Sequence, residues 1–208
     1  MSVTDAEATP TPAADETPAL TAGDATVEAP RPRGVSNVAT ALFVAGDFMA
    51  LCGLVAAYYA LRSQAFKWPP VNLGTYLPSM IAITMVMTAV TLQWAIWAIR
   101  RNDQRTTLAA LGITIFFALA VLNGQWYQLA HLRFGPAATT YGTFVYVLTG
   151  FHMVNVIAGI VVLGAVLGRT VGGEFDADDH DTLTAAAVFW QFTNVAGLIA
   201  YSVLFLHP

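Results

Sequence analysis

Asp47 is the one carboxyl that falls inside a long apolar segment of this 208-residue chain, so it is the first group that could carry chemistry there. A charged group near the middle of a membrane span costs about 2.5–3.5 kcal/mol on insertion scales, so Asp47 is expected to face other helices or a partner. Two readings stay open: a proton-responsive or partner-contacting carboxyl, or a neutral acid hydrogen-bonded to a neighbouring helix for packing. Two strips of polar side chains lie at comparable depth. His152, Asn155 and Gly159 share a helix face at i, i+3 and i+7, and Gln191, Asn194 and Tyr201 align similarly, with Trp190 and Gly197 nearby. An interhelical hydrogen-bond network accounts for them most simply, each contact contributing about 0.6–2 kcal/mol. The competing account is the lining of a lipid-headgroup or proton-accessible cavity. Asn123, Gln125 and Gln128 crowd the end of their segment, where water can satisfy them.

Redox and nucleophilic chemistry find no residue set. Of the four His, only His152 lies deep within a segment, while His131, His180 and His207 sit at loops or the C-terminus. One imidazole cannot hold a haem or a copper alone. The single Cys, Cys52, excludes an intrachain disulfide and a cysteine metal cage. No glycine-rich phosphate loop and no nucleophile–base pair are visible, so no metal site and no catalytic residue are expected.

The elements that must position these groups are long apolar helices. Apolar residues make up 56 % of the chain and charged residues 11 %, against about 25 % charged in soluble domains. Five apolar segments, roughly 36–61, 76–99, 107–130, 140–168 and 182–206, each reach the ~20 residues that a helix needs to cross the hydrocarbon core. Their continuity favours helices over the short alternating strands of a barrel. The expected fold is an all-α membrane protein, a bundle of five transmembrane helices over residues 34–208. Residues 1–33, rich in Ala, Thr, Pro and acids, read as a disordered tail, and the opening lacks the basic start and apolar run of a secretory signal.

Basic residues orient the bundle. Arg31, Arg33, Arg100, Arg101, Arg105 and Arg169 fall on one side and Arg62, Lys67 and Arg133 on the other, six against three, which puts the N-terminus in the cytoplasm and the C-terminus outside. Trp68, Tyr76, Trp94, Trp97 and Trp126 lie near segment ends, where amphipathic rings prefer the headgroup level. In the first segment Gly46, Ala50, Gly53 and Ala57 recur at i, i+4, i+7 and i+11. That makes one smooth face for close helix approach, within the chain or against a partner, bordered by Asp47. No basic patch supports nucleic-acid binding.

FVYVLTGFHMVNVIAGIVVL, residues 144–163, resembles the most recognisable stretch of the haem-copper oxidase (cytochrome c oxidase) subunit III family. In chain order AGDFMALCGLVAAYYALR is similar to that family's helix with a buried acid, Trp68–Pro70 to the loop after it, GQWYQL to its Gln, Tyr and Glu run, and FWQFTNVAGLIAYSVLF to its closing helix. The resemblance covers residues 36–206 and the shorter five-helix form found in many bacteria. This chain departs from the pattern at titratable positions: Asp47 and Gln128 stand where the family has Glu, Asn155 where it has a second His, and Gln191 and Asn194 where it has His and Asp. The resemblance implies a non-catalytic subunit in the bacterial plasma membrane that binds no haem or copper itself. It would pack against the catalytic haem-binding subunit and other oxidase subunits, hold phospholipid, and support proton uptake and aerobic respiration.

Two other functions compete with that expectation. An accessory subunit of a nitric-oxide reductase would share the fold and similar motifs. A small transporter or channel would use the intramembrane polar groups as a path, but the chain shows no inverted repeat, no pair of Pro-broken helices and one intramembrane acid.

Overall fold

The computed structural model describes residues 35–65, 68, 74–173 and 181–206. The expected disordered tail lies outside the described residues, as do Lys67, His180 and His207. Among the described residues five helices are long and apolar enough to cross a membrane: α1 (Val35–Arg62), α2 (Tyr76–Ile99), α3 (Gln104–Ala130), α4 (Thr140–Val171) and α5 (Asp181–Tyr201), the last continued by a π-helical turn, Ser202–Leu206. No strand occurs among the described residues. The helix bounds stay within about a turn of the expected segments, because hydropathy sets where a chain must satisfy its own backbone hydrogen bonds. At 1.5 Å per residue the 32 residues of α4 run about 48 Å, so it tilts or projects beyond a hydrocarbon core of about 30 Å.

Local chemistry fixes the helix ends. Asn102 takes the left-handed backbone that closes the tight turn between α2 and α3, with φ 56°. Asp103 then caps α3, accepting from the backbone N–H of Thr106 at 3.1 Å and from its hydroxyl at 2.5 Å. Those two donors hold the Asp103 carboxyl below the usual carboxylate range. The cap is therefore complete above the unfolded carboxylate pKa and is lost as pH falls through the lower folded value. Arg101 stacks over the ring of Trp97 at 3.7 Å on the same border. At the other end of the bundle Thr139 caps α4 by accepting from Gly142 N–H at 2.9 Å.

The short α2–α3 turn makes these helices antiparallel neighbours, and they form the most extensive helix pair. α5 packs on α1, α2 and α4, and α3 lies between α2 and α4. Leu92, Ile99, Leu111, Leu163 and Leu183 fill the aliphatic core together with Trp190. A second, aromatic cluster joins the end of α1 to α4 and the π turn. Tyr58 meets Trp68 and Phe144 edge-on with centroids 5.4 and 5.5 Å apart, and Trp68 meets Tyr141 at 5.4 Å. Trp68 donates from its indole N–H to the Tyr58 hydroxyl at 3.0 Å, and Tyr141 donates to the carbonyl of Leu204 at 2.8 Å. Trp68, read from sequence as an interfacial ring, therefore packs between Tyr58 of α1 and Tyr141 of α4.

α1 is otherwise peripheral. Only Leu51 and Tyr58 are buried along it among the described residues. Gly46, Ala50, Gly53 and Ala57 are all exposed, and a Cβ at Gly46 or Gly53 would meet nothing within 4 Å. The smooth face thus packs against nothing within the described chain, because α5 and α4 take the adjacent Asp47–Leu51–Tyr58 side instead. Gly159 behaves oppositely, since a Cβ there would stand 2.5 Å from the Trp190 ring. We expect Gly159→Ala to lower stability by about 1–3 kcal/mol through overpacking. Gly164→Ala, on the same helix with open space around it, should be neutral or slightly stabilising. Thermal melts of the two purified variants check the difference.

Candidate functional site

Bundling brings the expected polar residues together in three separate groups, not one network. In the first, His152 of α4, 2 % exposed, bridges two helices. Its Nε2 lies 3.1 Å from the carbonyl of Thr193 on α5, and its Nδ1 lies 2.7 Å from Gln125 Nε2 on α3. A carbonyl only accepts, so Nε2 carries the ring proton and donates. Nδ1 is then the acceptor, and Gln125 donates to it. The ring comes this close to α5 because Gly197 lies one turn beyond Thr193: a Cβ there would collide with His152 Nε2 and stand 2.8 Å from Met85 Sδ.

Gln125 was expected at the wet end of α3, yet it is 6 % exposed and is the partner of His152. The correction has a geometric cause: Gln125 lies on the face of α3 turned toward α4, whereas Asn123 and Trp126 flank it on exposed surface. Gln128, one turn on, is half-buried at the edge of a small cavity that reaches Gln125 and His152.

The second group joins α1 to α4. Asn155, 5 % exposed, donates from Nδ2 to Asp47 Oδ2 at 2.7 Å, while Asp47 is half-buried. His152 and Asn155 thus leave the same face of α4 in different directions, and no hydrogen bond among the described residues connects the Asp47 pair to the His152 group.

The third group ties α5 to α2. Asn194 Oδ1 lies 3.0 Å from the hydroxyl of Thr88, and the indole N–H of Trp190 donates to that hydroxyl at 3.2 Å. Gln191 donates to the carbonyl of Ala89 at 3.1 Å. Nearer the bundle end, Tyr201 pairs with Ser79 at 2.7 Å; because the Ser79 hydroxyl donates to Thr75 O, the Tyr201 hydroxyl is the donor of that pair. Thr88, fully buried, was missed in the sequence, where a lone Thr in an apolar segment gives no distinctive signal.

Among the described residues no three His, Cys, Asp or Glu side chains converge on a point that could hold a metal ion. Chemically the arrangement is a set of helix ties, with one carboxyl on a surface edge and one imidazole at the centre. Gln125→Leu would leave His152 Nδ1 without its donor, and we expect a loss of about 1–3 kcal/mol. Gln128→Leu should stay within about 0.5 kcal/mol of the parent chain. Thermal unfolding in detergent separates the two.

Comparison with known proteins adds an independent line. The family described as cytochrome c oxidase subunit III matches residues 23–207. The chain is 30 % identical over 169 residues to cytochrome c oxidase subunit 3 of Synechocystis sp., covering 79 % of this chain and 72 % of that protein. It is 26 % identical to cytochrome c oxidase subunit 3 of Thermostichus vulcanus, covering 79 % and 84 % of the two chains. A protein of Mycobacterium leprae named probable cytochrome c oxidase subunit 3 is 27 % identical, with 84 % and 89 % covered. With a match across all five helices and most of each relative's length, this chain belongs to the cytochrome c oxidase subunit III family.

Proposed function

We propose that this chain is the non-catalytic subunit III of a haem-copper terminal oxidase in a bacterial plasma membrane, docked on the haem-bearing catalytic subunit through α1. The observation that carries the docking is the bare face of α1: Gly46, Ala50, Gly53 and Ala57 form a smooth stripe that no other described part of the chain covers. Small residues in lipid let a second helix approach closely, and such contacts drive association where the hydrophobic effect does not. Asp47 borders the stripe, held by Asn155 and half-exposed, where it can meet a partner's donor or a proton path. The family's known members supply the oxidase reading, haem and copper belonging to partner chains.

Phospholipid fits the same side. An apolar groove of about 390 Å³ runs between α1, α4 and α5, lined by Phe43, Val162, Ala186 and Phe189 among others, and is suited to an acyl chain. The basic residues support an orientation with the N-terminus in the cytoplasm and the C-terminus outside.

Purification of the tagged chain in mild detergent tests the proposal. It should bring down a haem-containing subunit, visible in the absorption spectrum and identified by mass. Recovery of the chain without haem-bearing partners would overturn it. Gly53→Leu should weaken retention of the catalytic subunit through detergent washes while leaving the chain's own melting temperature unchanged, since Gly53 has open space around it. Equal retention would move the interface away from α1. Asp47→Asn keeps an acceptor for Asn155 but cannot ionise, so a proton role predicts faster loss of oxidase activity during turnover. Unchanged inactivation would reduce Asp47 to a helix tie.

A further inference from the structure

A cavity of about 30 Å³ lies between α2, α3, α4 and α5 at the end of the bundle where α2 begins and α3 and α5 finish. Its lining runs from the half-buried Gln128 and Tyr201 inward to Gln125, Thr149 and His152, with Met85 at its side. One water needs about 10–15 Å³ in this measure, so the cavity has room for two or three. Dry cavities are wholly apolar, whereas this one sets two amides, a hydroxyl, a phenol and an imidazole among otherwise apolar lining residues.

The second observation is the unsatisfied half of Gln125. The His152 ring dictates that Gln125 donates through Nε2, which turns Oε1 away from the ring. In its present rotamer Gln125 Oε1 has no surface open to a water molecule and meets no hydrogen-bond donor among the described residues. An orphaned buried acceptor costs about 1–3 kcal/mol, a penalty that a single bound water removes. The terminal torsion of Gln is broad, so the amide plane can tilt toward the cavity while Nε2 stays on His152. His152 itself cannot supply the missing donor, because its one ring proton serves Thr193 O.

We propose that this cavity is a water site: ordered water donates to Gln125 Oε1 and is held by the polar groups that lead out past Gln128 and Tyr201. The His152–Gln125 pair then becomes a hydrated centre reached from one end of the bundle, while the aliphatic core beyond it stays dry. The site depends only on this chain's own residues, not on which oxidase subunit docks beside it.

A structure of the purified native complex at a resolution that shows ordered water tests the proposal directly. A solvent peak about 2.7–3.2 Å from Gln125 Oε1 is the expected result. Synchrotron hydroxyl-radical footprinting supplies a second readout. Met85, 3 % exposed, lines the cavity, whereas Met87, two residues on, is 45 % exposed on the outer face of the bundle. Radicals born from water in the cavity should oxidise Met85 to the sulfoxide several-fold faster than Met87. Either a cavity without solvent density, including one filled by an acyl or detergent chain, or Met85 labelled no faster than Met87 overturns the site.

Discussion

In hydrocarbon a polar side chain has no water to turn to, and the interior of this chain is organised around meeting that constraint. The bond set of His152 shows it most fully. One ring draws on Gln125 from α3 and the backbone of α5, so a single side chain fixes the positions of three helices. Two glycines permit the close approaches these ties need. Gly197 must lack a side chain for His152 to reach Thr193, and Gly159 must lack one for the Trp190 ring to sit where its indole N–H reaches Thr88. Small residues and polar residues are thus two parts of one device: the glycines bring backbones close, and the polar groups hold them in register.

The same constraint divides the molecule. Helices α2 to α5 share an aliphatic core and are tied to one another by buried polar groups, whereas α1 is attached through Leu51, the Phe43–Phe189 ring contact, the Asp47–Asn155 bond and the aromatic cluster around Tyr58. A helix with so little of its surface covered is poorly specified by its own chain. Its remaining face is compositionally prepared for close approach by another helix, which is why the docking proposal rests there and not on the exposed aliphatic surfaces of α2 or α4.

Much of this was legible in the sequence because hydropathy and span length are properties of the chain alone. The five helices were readable on that basis, the inward placement of His152, Asn155 and Asn194 from the spacing of polar residues within them, and the family from the resemblance carried by residues 144–163 and the motifs around it. Pairing was not. Asp47 and His152 lie at similar depth, which suggests a shared network, yet depth says nothing about azimuth, and α4 sends Asn155 to Asp47 on α1 but His152 to α3 and α5. Gln125 and Gln128 illustrate the same limit: both lie near the end of α3, and only the rotation of that helix decides which is buried against His152. Thr88 left no trace because a hydroxyl is compatible with either a core or a lipid-facing position until Trp190 and Asn194 are brought beside it. At the departures from the family, Asn155, Gln191 and Asn194 each make a hydrogen bond, so neutral amides do there the tying that does not need charge.

These ties leave the interior polar side chains engaged in holding helices, with no convergent ligand set among the described residues for a redox centre. As a member of the cytochrome c oxidase subunit III family the chain is a non-catalytic subunit, and these ties give it a structural part. The most direct measurement is the haem and copper content per catalytic subunit of the oxidase prepared without this chain and assayed before any turnover. Content equal to that of the intact complex is the result expected of a chain with a structural part. A stoichiometric loss of haem or copper with this chain would contradict it.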